Sequence, residues 1–368
     1  MMEVYYSIVK NYDLLENYNN LLDLIFDNLE DYKRILIKPN ILGPFSPSKH
    51  VTTHPEFLDW VLRYLIGIRK IDKDRIVVGE SSGFSTERAY EVSKIKEVCE
   101  KYDISFIPFE RDRSVKIKLL NTTITIPKTV IDSDLIINLP KLKTHLLMRY
   151  TGAVKNLYGC IPGGLKPKLH GRFPREYDFA YLLVELYKFL VKERDIISVM
   201  DGIWGMEGNG PSNGRPVNSK IVIASKDALP LDIFATYYIG YNPMDVLTNR
   251  ILIGEKCNWE ERLDILEVGK AVKKKNLKDI PRMKFRKPDT FYLTSILPPF
   301  IVRLIFFTMI QKPKIDKRRC KRCGVCEEVC PVGAISLETF KIDRKKCINC
   351  YCCHEMCRFN AIKLGRFI

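Results

Sequence analysis

Short apolar runs alternate with amphipathic stretches along the first 285 residues of the chain. The apolar runs are rich in Ile, Leu and Val and have the length of buried strands. They lie at 34–40, 75–81, 104–109, 135–140, 196–202 and 220–225. Apolar residues at helical spacing predict helices at 55–69, 85–100 and 177–193. This alternation predicts an α/β fold with a largely parallel sheet and flanking helices.

Polar residues follow several of the predicted strands, in stretches that we expect to be loops. Ligands of parallel sheets bind beyond the carboxyl ends of the strands, so these side chains are candidates for one site. Lysine, histidine and glycine in such loops suit an anionic ligand, and the acids suit proton transfer or a divalent cation. The candidate ligand-binding residues are Lys38, Asn40, Glu80, Lys141, Lys143, His145, Lys155, Asn156, Asp201 and Glu207. Four of the five histidines (His50, His54, His145 and His170) also fall in these predicted loops.

The sequence does not name a reaction for this candidate site. It contains no Walker sequence, no G-x-G-x-x-G opening a helix after a strand, no nucleophile elbow and no HExxH. Each lysine taken alone is more typical of a solvated surface than of a site, and each glycine is more typical of a turn. Their repetition after successive strands favours a shared site.

The C-terminal region contains a short internal duplication. Cysteines 320, 323, 326 and 330 recur 27 residues later as cysteines 347, 350, 353 and 357, and Ala334–Ile335 recurs as Ala361–Ile362. A repeated unit this small cannot fold alone and forms half of a paired module.

The cysteine spacing C-x2-C-x2-C-x3-C-P is that of two-cluster bacterial ferredoxins, in which the fourth cysteine binds the other cluster. It predicts two [4Fe–4S] clusters in a small α+β ferredoxin-like domain. One is held by Cys320, Cys323, Cys326 and Cys357, and the other by Cys330, Cys347, Cys350 and Cys353. Paired zinc sites are disfavoured, because zinc uses cysteine pairs rather than triplets with a trailing fourth.

Two departures from the pattern leave these ligand sets unchanged. Arg358 stands where a proline usually follows the last ligand, and proline there shapes the turn without binding metal. Cys352 is an extra cysteine beside Cys353, and the two-residue spacing selects Cys353 as the ligand. We therefore expect Cys352 to be a small neighbouring side chain.

The chain is basic, with a net charge of +16 that is unevenly spread. Residues 270–287 hold nine Lys or Arg against one acid, and the residues from Lys312 onward hold fourteen against six. Such surfaces attract nucleic acid, anionic lipid or acidic partners. No motif that reads nucleic acid accompanies them, so we expect no nucleic-acid partner. Clusters with thiolate ligands are anionic, which accounts for some of the nearby positive charge.

The most apolar stretch is 291–310, which Pro298–Pro299 interrupts and Arg303 charges. A membrane-spanning helix needs about twenty apolar residues and carries a charge at high cost. We therefore predict an apolar connector helix at 286–311, between an α/β domain at 1–285 and a two-cluster domain at 312–368. Peripheral membrane contact through 270–310 is the less favoured alternative.

The start of the chain lacks the basic and apolar regions of a secretory signal. Clustered cysteines in a reducing compartment more often bind metal than form disulfides. We therefore predict a cytoplasmic location.

Six ordered motifs between residues 30 and 245 resemble one known family. They are IKPNILG, TTHPEF, INLPKLKTH, TGAVKNLYGCIPG, DGIWGMEGNGP and ASKDALPLDIFA. They are similar to the family of domain of unknown function 362, whose members often carry the same ferredoxin tail. A weaker similarity links that family to nickel-dependent enzymes of the lactate-racemase type. The resemblance implies an iron–sulfur protein and supplies no reaction.

Two classes of function remain open at this point. In the first, the chain is a redox enzyme or enzyme component whose clusters exchange electrons with a small anionic metabolite in the α/β domain. In the second, it is a non-catalytic electron-transfer or metallocofactor-maturation module that serves a separate redox partner protein. The wide range of cluster potentials does not fix the direction of electron flow.

Overall fold

An eleven-stranded sheet is the centre of the larger part of the computed structural model, which describes residues 2–254, 257–290 and 312–365. Two further strands, the fifth and sixth along the chain, form a separate hairpin. The strands are β1 (Met2–Ile8), β2 (Ile35–Pro39), β3 (Ile76–Glu80), β4 (Phe106–Pro108), β5 (Ser114–Leu119), β6 (Thr122–Pro127), β7 (Leu135–Leu139), β8 (Lys141–His145), β9 (Arg149–Thr151), β10 (Asp195–Glu207), β11 (Arg215–Ser225), β12 (Leu263–Val268) and β13 (Val272–Lys275).

The sheet is mixed, with a parallel half and an antiparallel insertion. Its order is β13-β12-β1-β11-β10-β7-β2-β3-β4, and β8 pairs with the outer part of β10 and with β9. Strands β10, β7, β2, β3 and β4 are parallel neighbours, whereas β11 is antiparallel to both β10 and β1. Every residue of β2 and β7 is buried, as expected of strands covered on both faces.

Helices cover both faces of the sheet and give a three-layer α/β architecture. Leu22, Trp60 and Val98 pack with Ile35 on one face, and Leu183 packs on the other face. The helices are α1 (Asn19–Ile25), α2 (Pro55–Leu62), α3 (Thr86–Val92), α4 (Ile95–Lys101), α5 (Lys128–Asp132), α6 (Ala153–Asn156), α7 (Leu165–Arg172), α8 (Glu176–Glu193), α9 (Ala228–Tyr238), α10 (Leu247–Ile253) and α11 (Trp259–Arg262). The predicted fold class is confirmed.

Four local expectations are wrong. The stretch after β7 is strand β8 rather than a loop, and β10 runs on to Glu207 through a predicted loop. Long-range partners explain both, because β8 and the outer part of β10 pair with each other. His170 lies in helix α7 rather than in a loop. The helical pattern at 85–100 is two helices, since Lys94 has a left-handed backbone with φ of 63°.

The C-terminal residues 312–365 form a small unit of paired strands and short helices. The unit has its own apolar core, which includes Ile315, Leu337 and Ile362, and the predicted ligand cysteines pack around it. Its elements are β14 (Lys312–Ile315), α12 (Val325–Glu328), β15 (Ile335–Ser336), β16 (Lys341–Ile342), α13 (Cys352–Glu355) and β17 (Ile362–Gly365). Strand β14 pairs with β17, and β15 with β16. The predicted connector helix lies outside the described residues from 291 onward, and residues 286–290 are irregular.

The C-terminal unit packs on the α/β part through its second half. The side chains of Ser212 and Asn213 donate hydrogen bonds to the backbone carbonyls of Glu355 and His354. Met356 lies against Gly83, where a Cβ would come within 2.9 Å of the methionine sulfur. Helix α13 of the C-terminal unit therefore packs on the sheet domain.

Candidate functional site

The first cysteine loop (residues 320–330) and the second cysteine loop (residues 347–357) repeat one backbone conformation. Arg322 and Gly324 of the first loop have positive φ, and so do Asn349 and Tyr351, the residues 27 positions later. A left-handed backbone is costly for any residue except glycine. Its recurrence at Asn349 and Tyr351 shows that the second loop keeps the shape of the first despite the different sequence.

Hydrogen bonds to the cysteine sulfurs repeat as well. The backbone N–H of Ala334 donates to Cys330 Sγ at 3.2 Å, and that of Ala361 donates to Cys357 Sγ at 3.2 Å. A further N–H, from Arg322, lies 3.4 Å from Cys320 Sγ. Backbone donors of this kind stabilise thiolates and tune iron–sulfur clusters.

The grouping of the cysteines fits the two predicted ligand sets. Cys326 interacts electrostatically with Cys357, Cys320 and Cys323. Cys353 lies near Cys350, Cys347 and Cys330, and near Cys326 of the other set. All twelve cysteines are free of disulfides. The donor set therefore suits two iron–sulfur clusters.

A small cavity in the C-terminal unit lies among the second ligand set. Cys330, Cys347, Cys350 and Cys353 all line it, together with apolar residues such as Ile342. Over residues 2–254, 257–290 and 312–365, no group of three or more His, Cys, Asp or Glu is placed to hold a single metal ion. All four predicted ligands of the second cluster therefore border one cavity.

A second cavity, of about 100 Å³, lies between the α/β part and the C-terminal unit. We call it the chamber. Asn40 and Glu80 line it from the ends of β2 and β3, and Lys155 and Asn156 line it from helix α6, which was expected to be a loop. Tyr158, Lys166 and His170 complete the α/β side. Val329, Cys352, Glu355 and Met356 form the opposite wall. The candidate residues at the ends of β2 and β3 thus share a cavity with the second cysteine loop.

Lysines give the chamber a positive character. Lys155 makes no hydrogen bond to any other described residue, and its electrostatic neighbours are Glu355 and Cys352. Burial lowers the pKa of Lys155, and burial lowers the pKa of Lys166 to about 8. Lys166 donates to the carbonyl oxygen of Ser81. An anion would offset the cost of burying these ammonium groups.

Further polar groups support the chamber from behind. Lys38 donates to Glu80 at 2.7 Å, and both side chains are almost fully buried. Lys143 donates to Asn40 Oδ1 at 2.7 Å, and Asn40 donates in turn to Asn156 at 2.8 Å. These bonds fix the directions of the amides that face the chamber.

Two chamber side chains keep buried polar atoms without partners. His170 Nδ1 and Glu355 Oε1 make no hydrogen bond within the described part of the chain. The two residues are only 8% and 7% exposed. Buried polar atoms are nearly always hydrogen-bonded, so two such atoms in one cavity indicate a missing ligand or water. Burial lowers the pKa of His170 to about 3, which keeps its ring neutral.

His145 lies next to the carboxyl group of Glu355. Backbone N–H groups of Leu147 and Met148 donate to His145 Nδ1, at 3.1 and 3.2 Å. The ring proton is therefore on Nε2, which lies 3.3 Å from Glu355 Oε1 without the geometry of a hydrogen bond. Burial lowers the pKa of His145 well below its usual value, so the ring is neutral.

Six of the ten candidate residues do not line the chamber. Lys38, Lys143 and His145 lie behind its lining residues, and Lys141, Asp201 and Glu207 are paired elsewhere. Lys141 and Asp201 form a separate buried pair at 2.7 Å, which Tyr12 joins through its hydroxyl. Glu207, at the end of β10, accepts from the backbone of Arg286 and pairs with Arg215 at 3.1 Å. These partners satisfy their charges within the protein.

Sequence reasoning missed Lys166 and Glu355 as chamber residues. Lys166 and His170 are four residues apart in α7, a spacing that places both on one helix face. That spacing was a usable signal for Lys166. Glu355 reaches the chamber only because the C-terminal unit packs on the sheet domain, which no local pattern shows.

A wider groove of about 560 Å³ lies next to the chamber. Gly83, Pro167 and Val329 border both cavities. The groove also reaches Cys330, a predicted ligand of the second cluster. It provides a route from solvent toward the chamber.

Comparisons with known proteins agree with the two-part organisation. The sequence profile of the family described as domain of unknown function (DUF362) matches residues 35–237, more than half of the chain. The profile of a 4Fe-4S binding domain matches residues 313–336, which contain the first cysteine loop.

Two known proteins are similar to part of this chain. A thylakoid-associated protein, sll1697 from Synechocystis, is 30% identical over 218 residues, or 58% of this chain and 65% of that protein. The lactate racemase apoprotein from Thermoanaerobacterium thermosaccharolyticum aligns with a TM-score of 0.41 and 13% identity, over 65% of this chain and 57% of its own. This chain thus spans less than two thirds of either protein. On the match to residues 35–237, the chain belongs to the DUF362 family, and it carries a C-terminal 4Fe-4S binding domain.

Proposed function

We propose that this iron–sulfur protein transfers electrons between two [4Fe–4S] clusters and a small anionic ligand bound in the chamber. The observation that carries the proposal is the shared wall. Cys352 lines the chamber and packs against Cys350, a predicted ligand of the second cluster. A ligand in the chamber would therefore lie one side chain away from a cluster ligand.

The repeated loop geometry supports two clusters rather than one. The second loop copies the left-handed residues and the sulfur hydrogen bond of the first, which the 4Fe-4S profile matches. When bound, each cluster supplies or accepts single electrons. The remaining chemistry belongs to the residues of the chamber.

The chamber residues have distinct roles in this proposal. Lys155 and Lys166 attract a carboxylate or phosphate, and Asn40 donates its second amide N–H to it, while Asn156 accepts from Asn40 and holds that amide in place. The cavity of about 100 Å³ suits a small anion. Lys166, with its pKa near 8, can give a proton to a ligand that gains electrons.

The test measures ligand binding and cluster chemistry separately. Anaerobic protein is titrated calorimetrically with malonate and with inorganic phosphate, and the reoxidation of the reduced clusters is followed with and without each anion. We expect Lys155→Met to weaken binding about tenfold or more, since a charge-assisted hydrogen bond contributes roughly 1.5–3 kcal/mol. Lys192→Met, at an exposed position outside the chamber, is the matched control and should bind normally.

Iron content decides how a loss of binding is interpreted. Unchanged iron in Lys155→Met, together with lost binding, supports a ligand role for this lysine. If no small anion changes the reoxidation rate of the clusters and the protein binds a separate redox protein tightly, the result would favour the electron-transfer or maturation module instead.

Location and membrane contact remain predictions. The described ranges contain no helix with the length and apolar character of a membrane span.

A further inference from the structure

The two cysteine loops of the C-terminal unit have opposite surroundings. Residues 351–356 of the second loop are all buried and face the α/β part. In the first loop, Cys323 is exposed, and it is the single exposed cysteine among the twelve, all of which are described. The first cluster site is therefore the one that a macromolecule in solution can approach.

Exposed cations surround Cys323. We call residues 317–322, with the sequence KRRCKR, the basic rim. Apart from Cys320, every residue of the rim is exposed. Asp316 is a weak counterion, at 3.9 Å from Arg318 and 3.7 Å from Arg319. The rim thus presents a net positive surface next to an exposed cluster ligand.

The outer part of the rim is fixed in place without neutralising its charge. Arg322 lies over the ring of Phe340 at 4.6 Å, and Lys317 lies over the same ring at 5.5 Å. Lys321 makes no ion pair within the described residues. A cation that stacks on an aromatic ring keeps its charge available to a partner.

We propose that the basic rim is the docking surface for an acidic protein that carries electrons. The proposal rests on the proposed function, because it requires a cluster held by Cys320, Cys323, Cys326 and Cys357. In each encounter the carrier loses one electron and this cluster gains it, or the reverse. No bond forms, and no proton needs to move.

The position of the charge favours a redox protein over other polyanions. A basic surface alone attracts any polyanion. Here the cations surround the exposed ligand Cys323, where a bound carrier would come close to the cluster. Complementary charge of this kind increases association rates and selects partners.

The experiment measures binding of an acidic flavodoxin to the full-length protein, purified anaerobically with its clusters. Calorimetry at low and high ionic strength compares the wild type with a double charge reversal, Lys321→Glu with Arg322→Glu. We expect about tenfold or greater loss of affinity at low salt and a smaller difference at high salt, because salt screens exposed charges. The rate of electron exchange with flavodoxin should fall in parallel.

Two further variants control for fold and for total charge. Lys10→Glu with Lys33→Glu makes the same charge change at exposed sites away from the rim and should bind normally. Lys321→Arg with Arg322→Lys keeps the charge and should also bind normally. Dithionite, which needs no docking surface, should reduce the clusters of every variant equally, with equal iron content.

Three outcomes would overturn the proposal. In the first, flavodoxin binding survives the rim reversal unchanged, and in the second the remote control weakens it just as much. The rim reversal could also abolish binding of anionic vesicles or DNA without affecting flavodoxin, which would assign the rim to those partners. Failure of malonate to bind in the chamber would leave the flavodoxin result intact, so the two proposals fail separately.

Discussion

The two loops of the C-terminal unit have the same cysteine spacing but opposite environments. The first loop carries KRRCKRC in solvent, and the second carries YCCHEM against the α/β part. Gly324 and Tyr351 occupy equivalent left-handed positions, so the backbone tolerates a large residue where packing requires one. The comparison shows that ligand geometry is set locally, whereas the direction in which each cluster site faces is set by what the loop packs against.

The largest expected effect comes from replacing one ligand in each loop. Cys353→Ser should remove about half of the iron and lower the unfolding temperature, because Cys353 is buried in the apolar core of the unit. Cys323→Ser should remove a similar amount of iron with less destabilisation, since Cys323 is exposed. Iron per chain and thermal unfolding under anaerobic conditions measure both. Cys352→Ser is the control, and iron loss there with full iron in Cys353→Ser would reverse the ligand assignment.

A tight contact behind the chamber predicts the next effect. A Cβ on Gly159 would collide with Glu80 and lie 2.8 Å from Lys38 Cε. Gly159→Ala should therefore lower the free energy of unfolding by about 1–3 kcal/mol, the usual cost of overpacking. Gly164→Ala is the matched control, because a Cβ there meets no atom within 4 Å. Chemical denaturation of both variants checks this, and equal stability would mean that the buried pair can shift freely.

The chamber should bind anions in a pH-dependent way. Burial lowers the pKa of Lys166 to about 8, and only its ammonium form attracts an anion. Above about pH 7, where malonate is a dianion, its affinity should fall by up to about tenfold per pH unit once the pH exceeds the pKa of Lys166. Burial raises the pKa of Glu355, on the opposite wall, to about 7, so its ionisation adds to the decline. Lys166→Arg should remove the part of the decline above pH 8, since arginine stays charged. Calorimetry across the pH range measures this, and the same decline in Lys166→Arg would assign it to another group.

The smallest effect concerns the hydrogen bonds between the two parts. Ser212 and Asn213 donate to the backbone of Glu355 and His354. Ser212→Ala should weaken docking of the second loop by about 0.5–1.5 kcal/mol, the usual net value of one hydrogen bond. Hydrogen exchange of the amides at 351–356 should rise, with Ser114→Ala, at an exposed position, as the control. Unchanged exchange would indicate that apolar contacts such as that of Met356 hold the loop alone.

Periodicity predicted the fold better than it predicted the site. The runs at 34–40 and 135–140 are strands β2 and β7 because continuous burial gives them one simple signal. Strand β8 escaped prediction because its Lys141 and Lys143 are buried charges whose partners, Asp201 and Asn40, lie far away in the sequence. The cysteine ligands needed no such partners, since their spacing is local.

The strand-end rule gave part of the chamber. Asn40 and Glu80 line it from the ends of β2 and β3, whereas Lys155 and Asn156 line it from helix α6 rather than from the expected loop. Asp201 was predicted by the same rule, but its carboxylate forms a buried ion pair with Lys141 and does not face the chamber. Only the three-dimensional pairing of charges separates these two outcomes.

The shared wall of the chamber has a thermodynamic consequence. A molecule held there touches both the sheet domain and helix α13. If it binds more tightly when the C-terminal unit is packed on the sheet domain, then by linkage its binding must strengthen that packing by the same factor. Filling the space would then make the second cysteine loop harder to detach, and loosening the loop would release the occupant.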